Sequence, residues 1–277
     1  MLGRGPEAIS PTAHYTGAVW ARNGLSHPAF ATPGGRLMLQ AGRPLMVASR
    51  LLGGPTLEGF LLARHRIIDH LLSAAIAAGR VTQVVEIAAG LSPRGWRFSA
   101  IHGDALTYVE GDLPGMAGRK RRALDRAGGT HRVVVLDAFA DDGPGSLAAI
   151  AETLDPARGV AVVTEGLLNY FDRAHVTALW RRMTTTFAGF PELLYLSDLH
   201  VRSATGGVLA GAFTGALQTF VRGRVHLHFA DEADALAALH AARFQQAVLH
   251  TPRVFDLDGC HAPGAQLVRV IEASRRA

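Results

Sequence analysis

The sequence of 277 residues predicts an α/β fold with a doubly wound, mostly parallel sheet of seven strands. Continuous apolar runs alternate with segments of helical periodicity, which is typical of parallel strands covered by helices on both faces. The last two apolar runs lie close together near the C-terminus, which indicates one antiparallel strand. Ligands of such sheets bind outside the carboxyl ends of the strands, so functional residues are expected there.

The individual elements follow from apolar patterning and from helix caps. Helices are predicted over 57–78, 114–126 and 147–153, and from the N-cap residues Asp172 and Asp231 onward. Strands are predicted over 81–88, 106–112, 131–137, 159–166, 192–200, 244–250 and 266–273. The order of these segments predicts a single domain that covers residues 1–277.

Two segments interrupt the alternation of strands and helices. Residues 1–56 are rich in Gly and Pro and show no clear periodicity, so we expect an irregular N-terminal arm with short helices. Residues 201–230 form an insertion, in which Gly207, Gly211 and Gly215 would share one helix face and permit close packing in a lid or at a dimer contact, of which packing within the chain is favoured. Both segments are candidate lids over the site, and substrate specificity is expected to depend on them.

Composition gives little support to a nucleic-acid or membrane partner. The net charge of +5 comes almost entirely from arginine, so it is weak support for a nucleic-acid partner, although it suits an acidic substrate. The basic run over 118–126 has no interleaved aromatic residues, which favours a solvated helix face over a phosphate-binding surface. A single cysteine, Cys260, excludes an internal disulfide and suits the cytoplasm. We expect neither a signal peptide nor a membrane span, since 206–221 is short and partly polar.

Small residues follow the first strand. Ala88 and Gly90 let the backbone approach a ligand closely, and the helix N-terminus beyond them favours an anionic group such as a carboxylate. The G-x-G-x-x-G motif of dinucleotide enzymes is absent, because Ala88 replaces its first glycine and Pro93 and Arg94 fill the turn. Glu86 also suits a cationic ligand better than a pyrophosphate. The alternative is an ordinary strand-to-helix turn.

The second and third strands also end in acids. Glu110 follows Gly90 by twenty residues, about the spacing at which a carboxylate accepts both hydroxyls of a ribose. Asp112 competes for that role, and either acid could instead be an exposed strand end. The third strand ends in Asp137 and Ala138, where the amino group of an adenine is usually bound.

Glu165 ends the fourth strand, with Tyr170 about one turn further along. Four successive strands that end in acids suit a ligand with a ribose, an adenine amine and a positive charge, which describes S-adenosylmethionine (SAM). Arg64 lies on the apolar stripe of its helix, so its guanidinium must find an anionic partner. That partner is either the SAM carboxylate or a core acid such as Glu86.

The same strand ends carry a family resemblance. VVEIAAGLSPRGWRF, YVEGDLP, VVVLDA and VVTEGLLNYF, in this order, resemble the leucine carboxyl methyltransferase family, which includes polyketide O-methyltransferases of the tetracenomycin type. The resemblance covers roughly 57–200, with a fainter similarity in PTAHYTGAVW. It implies a Rossmann-like class I methyltransferase fold. Two departures are Ala88, where the family usually has glycine, and the Ser92-Pro93 pair, which replaces the family's Asp and weakens the case for Arg94 in the site.

The resemblance also implies roles for individual residues. Arg64 would hold the SAM carboxylate, and Ala88 and Gly90 would form the close turn. Asp112, rather than Glu110, would bind the ribose. The remaining implied contacts are with the adenine, from Asp137 and Ala138, and with the amino-acid end or the methyl group, from Glu165.

The acceptor decides whether the reaction needs a base. A carboxylate acceptor is already ionised, whereas a phenol, with an ordinary pKa of about 10, needs one. Candidate catalytic residues are His200, Asp198 and Tyr170 at strand ends and His14 and Tyr15 in the arm. With 13 histidines in the chain, most must be structural or exposed. Catalysis without a metal is expected, because no Cys/His cluster has ligand spacing.

The sequence therefore predicts a SAM-dependent O-methyltransferase that acts on a carboxylate or hydroxyl oxygen of a small molecule. One alternative is a carboxyl methyltransferase acting on a protein C-terminus or a tRNA base side chain. Another is a SAM-binding protein without turnover. The missing glycine motif disfavours a nicotinamide oxidoreductase.

Overall fold

A computed structural model describes residues 11–51, 54–205 and 226–277. Seven strands form one sheet in the order β3-β2-β1-β4-β5-β7-β6. Only β7 is antiparallel to its neighbours β5 and β6, so the predicted fold class is confirmed. The strands are β1 (Gln83–Ile87), β2 (Thr107–Asp112), β3 (Arg132–Val135), β4 (Val160–Thr164), β5 (Glu192–Leu199), β6 (Gln246–His250) and β7 (Arg269–Arg276).

Helices cover both faces of the sheet, which is why every residue of the central strands β1, β4 and β5 is buried. One core joins α3 and α4 to the sheet through residues such as Ile67, Val84 and Leu194. The other core packs α6, α7 and α8 on the opposite face, where Trp180 is fully buried. The helices are α1 (Pro11–Arg22), α2 (Pro33–Leu51), α3 (Leu57–Ala77), α4 (Arg94–His102), α5 (Pro114–Arg126), α6 (Leu147–Ala151), α7 (Arg173–Thr186) and α8 (Glu232–Ala241).

The predicted helix ends agree with the local chemistry. Asp172 accepts the backbone N–H of His175 at 2.9 Å, and Asp231 accepts that of Asp234 at the same distance. Each aspartate therefore satisfies one of the backbone donors that a helix start leaves open. The sequence had placed both caps at these residues.

The N-terminal arm is more regular than the sequence indicated. The described part of the arm forms α1 and the 19-residue helix α2, which contains Pro44. Gly34, Gly35 and Pro44 have poor helix propensity, so the pattern predicted only short helices. Packing overrides that propensity, because α2 lies along α1, which in turn packs on α3 through Val19 and other apolar residues.

The insertion at 201–230 is described only at its ends. Val201 forms an isolated bridge with Phe229, and the backbone N–H of His226 donates to the carbonyl of Asn169 at 3.0 Å. Gly207, Gly211 and Gly215 lie outside the described residues, as do 1–10 and 52–53 of the predicted arm. The lid roles and the single-domain organisation stay predictions. Within the described ranges, no helix combines the length and apolarity that crossing a membrane would need.

Candidate functional site

A cavity of about 300 Å³ lies at the carboxyl ends of β1, β2 and β4. Helix α1 forms one wall with Thr12, Thr16 and Trp20, so the arm covers part of this sheet edge. The position agrees with the general rule for ligand sites in open α/β sheets. Six residues that the sequence selected line the cavity, namely Arg64, Ala88, Gly90, Asp112, Glu165 and Tyr170.

Asp112 links the second strand to the turn after the first. Its Oδ2 accepts the backbone N–H of Gly90 and its Oδ1 accepts that of Leu113, both at 2.8 Å. Burial raises the pKa of Asp112, although these two N–H groups oppose the shift. In the described ranges no cationic side chain forms a salt bridge with it. Asp112 is therefore a carboxylate in the cavity wall that can accept hydrogen bonds from neutral hydroxyls.

The turn contains one unusual backbone conformation. Ala88 has φ 54° and Gly90 has φ 53°, both in the left-handed region that favours glycine. For Gly90 the conformation carries no side-chain penalty. For Ala88 it is strained, which explains why the resemblance implies a glycine at this position.

Replacing Ala88 by Gly should therefore raise the free energy of unfolding by about 0.5–1 kcal/mol, because the steric relief exceeds the entropy that glycine adds to the unfolded chain. Urea denaturation measures the change. Ala89→Gly is the matched control, since Ala89 is not among the described residues with positive φ, and it should lower stability by a similar amount. A destabilised Ala88→Gly variant would contradict this account of the turn.

Glu86 does not line the cavity. It is buried, and its Oε1 accepts Nη1 of Arg94 at 2.7 Å, while its Oε2 accepts the hydroxyl of Tyr108 at 2.7 Å. The expected role of Glu86 in binding a cationic ligand is therefore corrected to a structural ion pair. The proposed pair between Glu86 and Arg64 is also corrected, because the partner is Arg94.

Glu110 is likewise turned away from the cavity. Its Oε2 lies 3.0 Å from Nζ of Lys120 and 2.9 Å from Nε2 of His131, and all three side chains are almost completely buried. Burial would raise the pKa of Glu110, but Lys120 and His131 outweigh it, so the pKa is lowered. Glu110 therefore compensates the only lysine of the chain, which leaves Asp112 as the acid of β2 that faces the cavity.

Asp137 and Ala138 lie beyond β3, outside the cavity lining. Asp137 is exposed and accepts the backbone N–H of Phe139 at 3.0 Å, whereas Ala138 is buried in the core. Leu113 and Met116 are the apolar side chains that line the cavity next to Asp112. A role for Asp137 and Ala138 beside an adenine stays a prediction.

Arg64 forms ion pairs with buried acids and also lines the cavity. Its Nε donates to Glu165 at 3.0 Å and its Nη1 to Asp198 at 3.1 Å. Burial alone would lower the pKa of Arg64, but Asp198 and Glu165 raise it, so the guanidinium is charged. Its Nη2 makes no hydrogen bond within the described ranges. It lies so close to Gly166 that a Cβ atom added to this glycine would be 2.8 Å from Nη2. The fork thus keeps one nitrogen for a ligand.

Arg94, whose place in the site the sequence left in doubt, is outside the cavity lining and at the centre of an ion network. It is fully buried, and it donates to Asp69 at 2.6 Å, to Glu86 at 2.7 Å and to Glu165 at 2.6 Å. His65 adds a contact of 2.8 Å between its Nδ1 and Oε2 of Glu165. These side chains form an ion network directly behind the cavity. The spacing of His65 and Asp69, one turn apart on α3, was the available signal.

The candidate bases differ in position. Tyr170 lines the cavity, whereas His200 is buried, stacks on Phe60 with ring centroids 4.9 Å apart, and is absent from the lining. Burial lowers the pKa of His200 to about 4, so its imidazole is neutral. Asp198 is committed to Arg64 and to the backbone N–H of Gly166, at 2.6 Å.

The two candidates in the arm are also engaged elsewhere. His14 contacts the hydroxyl of Thr32 at 2.7 Å, and Tyr15 donates to the sulfur of Met46 at 3.4 Å. Burial raises the pKa of Tyr15 to about 12. Among the residues that the structure describes, no group of three His, Cys, Asp or Glu could hold a metal ion. Catalysis without a metal stays a prediction.

Sequence comparison gives the family. A family model described as leucine carboxyl methyltransferase matches residues 37–184, slightly more than half of the chain. A relative from Mycolicibacterium smegmatis, which carries the name of an S-adenosyl-L-methionine-dependent methyltransferase, is 38% identical over 122 residues. That alignment covers 43% of this chain and 37% of the relative, so the chain matches well under half of the relative's length.

Solved structures agree on the fold. A methyltransferase structure from Thermobifida fusca has a TM-score of 0.65 at 13% identity and covers 98% of this chain and 96% of its own. A DUF574 family protein from Streptomyces avermitilis has a TM-score of 0.61 at 14% identity, with 95% and 97% covered. At such identities the likeness shows the fold alone. The family match over more than half of the sequence shows that the chain belongs to the leucine carboxyl methyltransferase family of SAM-dependent methyltransferases.

Proposed function

We propose that this protein transfers the methyl group of SAM to an oxygen atom of a small molecule. One observation carries the proposal: the same cavity is lined by Asp112, which accepts the N–H of Gly90, and by Arg64, whose guanidinium is partly free. A carboxylate that accepts hydrogen bonds from hydroxyls and a guanidinium nitrogen that donates to a carboxylate suit the two ends of SAM.

The chain's own residues would supply binding and orientation. Asp112 would accept hydrogen bonds from the ribose hydroxyls, and Leu113 and Met116 would contact the adenine. Nη2 of Arg64 would donate to the amino-acid carboxylate, while Glu165 and Asp198 hold the guanidinium in place. When bound, the sulfonium supplies an activated methyl group. Helix α1, which forms one wall of the cavity, would help to exclude water from the displacement.

The lining supports a small acceptor. Trp20, Leu167, Tyr170 and Phe171 give the cavity apolar and aromatic surface, which is typical of small-molecule sites. The basic run of α5 does not reach this lining, and its Lys120 is buried against Glu110. These features disfavour a nucleic-acid acceptor.

Calorimetric titration tests the cofactor. SAM and S-adenosylhomocysteine (SAH) should bind, and NAD should not, because Pro93 fills the turn and Arg94 is buried behind the cavity, unavailable to a pyrophosphate. Tight NAD binding without a response to SAM would contradict the proposal.

Methyl-labelled SAM added to a size-fractionated cell extract then tests the acceptor. Label should enter the small-molecule fraction, and label in protein or RNA would favour the macromolecular alternative.

A further inference from the structure

Gly166, in the loop after β4, contacts the guanidinium of Arg64, and both residues line the cavity. Its φ of 70° lies in the left-handed region that favours glycine. A Cβ atom at this position would lie 2.8 Å from Nη2 of Arg64 and 3.3 Å from its Cζ and Nη1. Carbon contacts are normally about 3.5 Å or longer, so a side chain here would displace the guanidinium. The absence of a side chain at Gly166 therefore leaves the space that Arg64 occupies.

Asp198, near the end of β5, holds both of these groups with one carboxylate. Its Oδ1 accepts the backbone N–H of Gly166 at 2.6 Å, and its Oδ2 accepts Nη1 of Arg64 at 3.1 Å. The side chain of Asp198 is 1% exposed, and Asp198 does not line the cavity. It is thus a buried bridge between the loop after β4 and α3, the helix that carries Arg64.

A second acid fixes another nitrogen of the same guanidinium. Nε of Arg64 donates to Oε1 of Glu165 at 3.0 Å, and Oε2 of Glu165 accepts Nη2 of Arg94 at 2.6 Å. A guanidinium is planar and rigid, so contacts that fix Nε and Nη1 also fix the position of Nη2. Glu165, Asp198 and Gly166 therefore determine together where Nη2 of Arg64 lies in the cavity wall.

We propose that Asp198 and Gly166 position Nη2 of Arg64 for the carboxylate of SAM, and thereby determine the preference of the site for ligands that carry the amino-acid group. This inference rests on the proposed function, in which Nη2 donates to that carboxylate. Asp198 acts through Arg64 and Gly166, so it is a positioning residue. Hydrogen bonds weaken steeply when donor and acceptor are misaligned, so a small displacement of Nη2 removes the contact and leaves the adenosine end bound.

Calorimetric titration with two ligands tests this role. SAH carries the amino-acid carboxylate, whereas 5′-methylthioadenosine keeps the adenosine and the thioether but lacks the amino-acid group, so the native protein should bind SAH more tightly. Asp198→Asn should lower the affinity for SAH by about 10- to 100-fold and change that for 5′-methylthioadenosine by less than about twofold. The reason is that an amide has one acceptor oxygen, and its NH₂ group would face one of the two donors.

Glu192→Gln is the matched control for Asp198→Asn. Glu192 begins the same strand, is 7% exposed and pairs with Arg80. This control should lose stability, because a buried ion pair is broken, while its affinities for both ligands stay unchanged. A loss of affinity that merely follows a loss of stability would therefore appear in both variants.

Gly166→Ala tests the same guanidinium without removing a charge. The added Cβ should displace Nη2 of Arg64 and lower the affinity for SAH by about 10-fold, again with little change for 5′-methylthioadenosine. Gly128→Ala is the matched control. Gly128 has φ 68°, and a Cβ added there would meet no described heavy atom within 4 Å beyond its chain neighbours, so this variant has the same backbone strain without a displaced group.

An unchanged preference for SAH in folded Asp198→Asn or Gly166→Ala would overturn the role of that residue, as would equal losses for the two ligands. If Asp198→Asn does not fold, the comparison of Gly166→Ala with Gly128→Ala decides. A native protein that binds SAH and 5′-methylthioadenosine equally well would instead refute the contact between Arg64 and the SAM carboxylate, which belongs to the proposed function.

Discussion

Replacing Arg94 by Met is expected to lower the free energy of unfolding by about 3–5 kcal/mol. Arg94 is fully buried and is the shared partner of Asp69, Glu86 and Glu165, so its loss leaves buried carboxylates with fewer cations. Removing one member of a buried ion pair costs this much because the remaining charge stays desolvated. Methionine keeps most of the side-chain length, which separates the loss of charge from the loss of packing.

The stability lost in Arg94→Met should become smaller as the pH falls. In the native protein, burial would raise the pKa of Glu165, but His65, Arg94 and Arg64 lower it well below its ordinary value. Its stabilising contribution is therefore present above about pH 4.5 and is lost as pH falls through the folded pKa. A buried carboxylate without a cation instead has a raised pKa, so protonation relieves it. The stability difference between the native protein and Arg94→Met should shrink as pH falls from 7 to 5.

Arg97→Met provides the matched control, since it removes the same side chain one turn away on α4. Arg97 is 23% exposed in its side chain and contacts Asp69, so its loss should cost about 1 kcal/mol. Chemical denaturation of the three proteins at several pH values measures both effects. Equal losses for the two variants, or a penalty for Arg94→Met that grows toward pH 5, would contradict the central role of Arg94.

The sheet and its helix caps could be predicted from sequence because they depend on local patterns. All seven strands were anticipated, and Asp172 and Asp231 cap helices where the sequence placed them. The partners of buried charges could not be predicted in this way. Arg94 lies on α4, and its acids come from α3, β1 and the loop after β4, so only the tertiary fold brings them together.

The acidic strand ends show the same limit. The sequence suggested that several strand-end carboxylates would together create a negative site for a cationic ligand. In the fold, Glu86 and Glu165 face Arg94, and Glu110 faces Lys120. The negative charge of three strand ends is thus compensated within the protein. Asp112 is the acid of the cavity wall that only backbone N–H groups were found to contact, which makes it the carboxylate available to a ligand.

Asp112→Asn and Glu110→Gln should therefore affect different properties, SAH affinity and stability respectively, although the residues lie two positions apart on β2. Asp112→Asn should weaken SAH binding by about 1.5–3 kcal/mol, roughly 10- to 150-fold, because charge-assisted bonds to the ribose are lost. An amide also has one acceptor for the two N–H groups of Gly90 and Leu113. Asp112→Asn should therefore also lower the free energy of unfolding by about 1 kcal/mol.

Glu110→Gln should instead leave Lys120 buried without its counter-charge, which should lower the free energy of unfolding by about 3–5 kcal/mol. SAH affinity of the folded protein should not change, since Glu110 lies outside the cavity lining. Calorimetry with SAH measures the affinity of each variant, and urea denaturation measures the free energy of unfolding of each. If Glu110→Gln weakens SAH binding as much as Asp112→Asn does, the ribose site is not on the Asp112 side of β2. If neither variant loses affinity, the ribose does not bind at this strand end, and the orientation proposed for SAM must be reversed or abandoned.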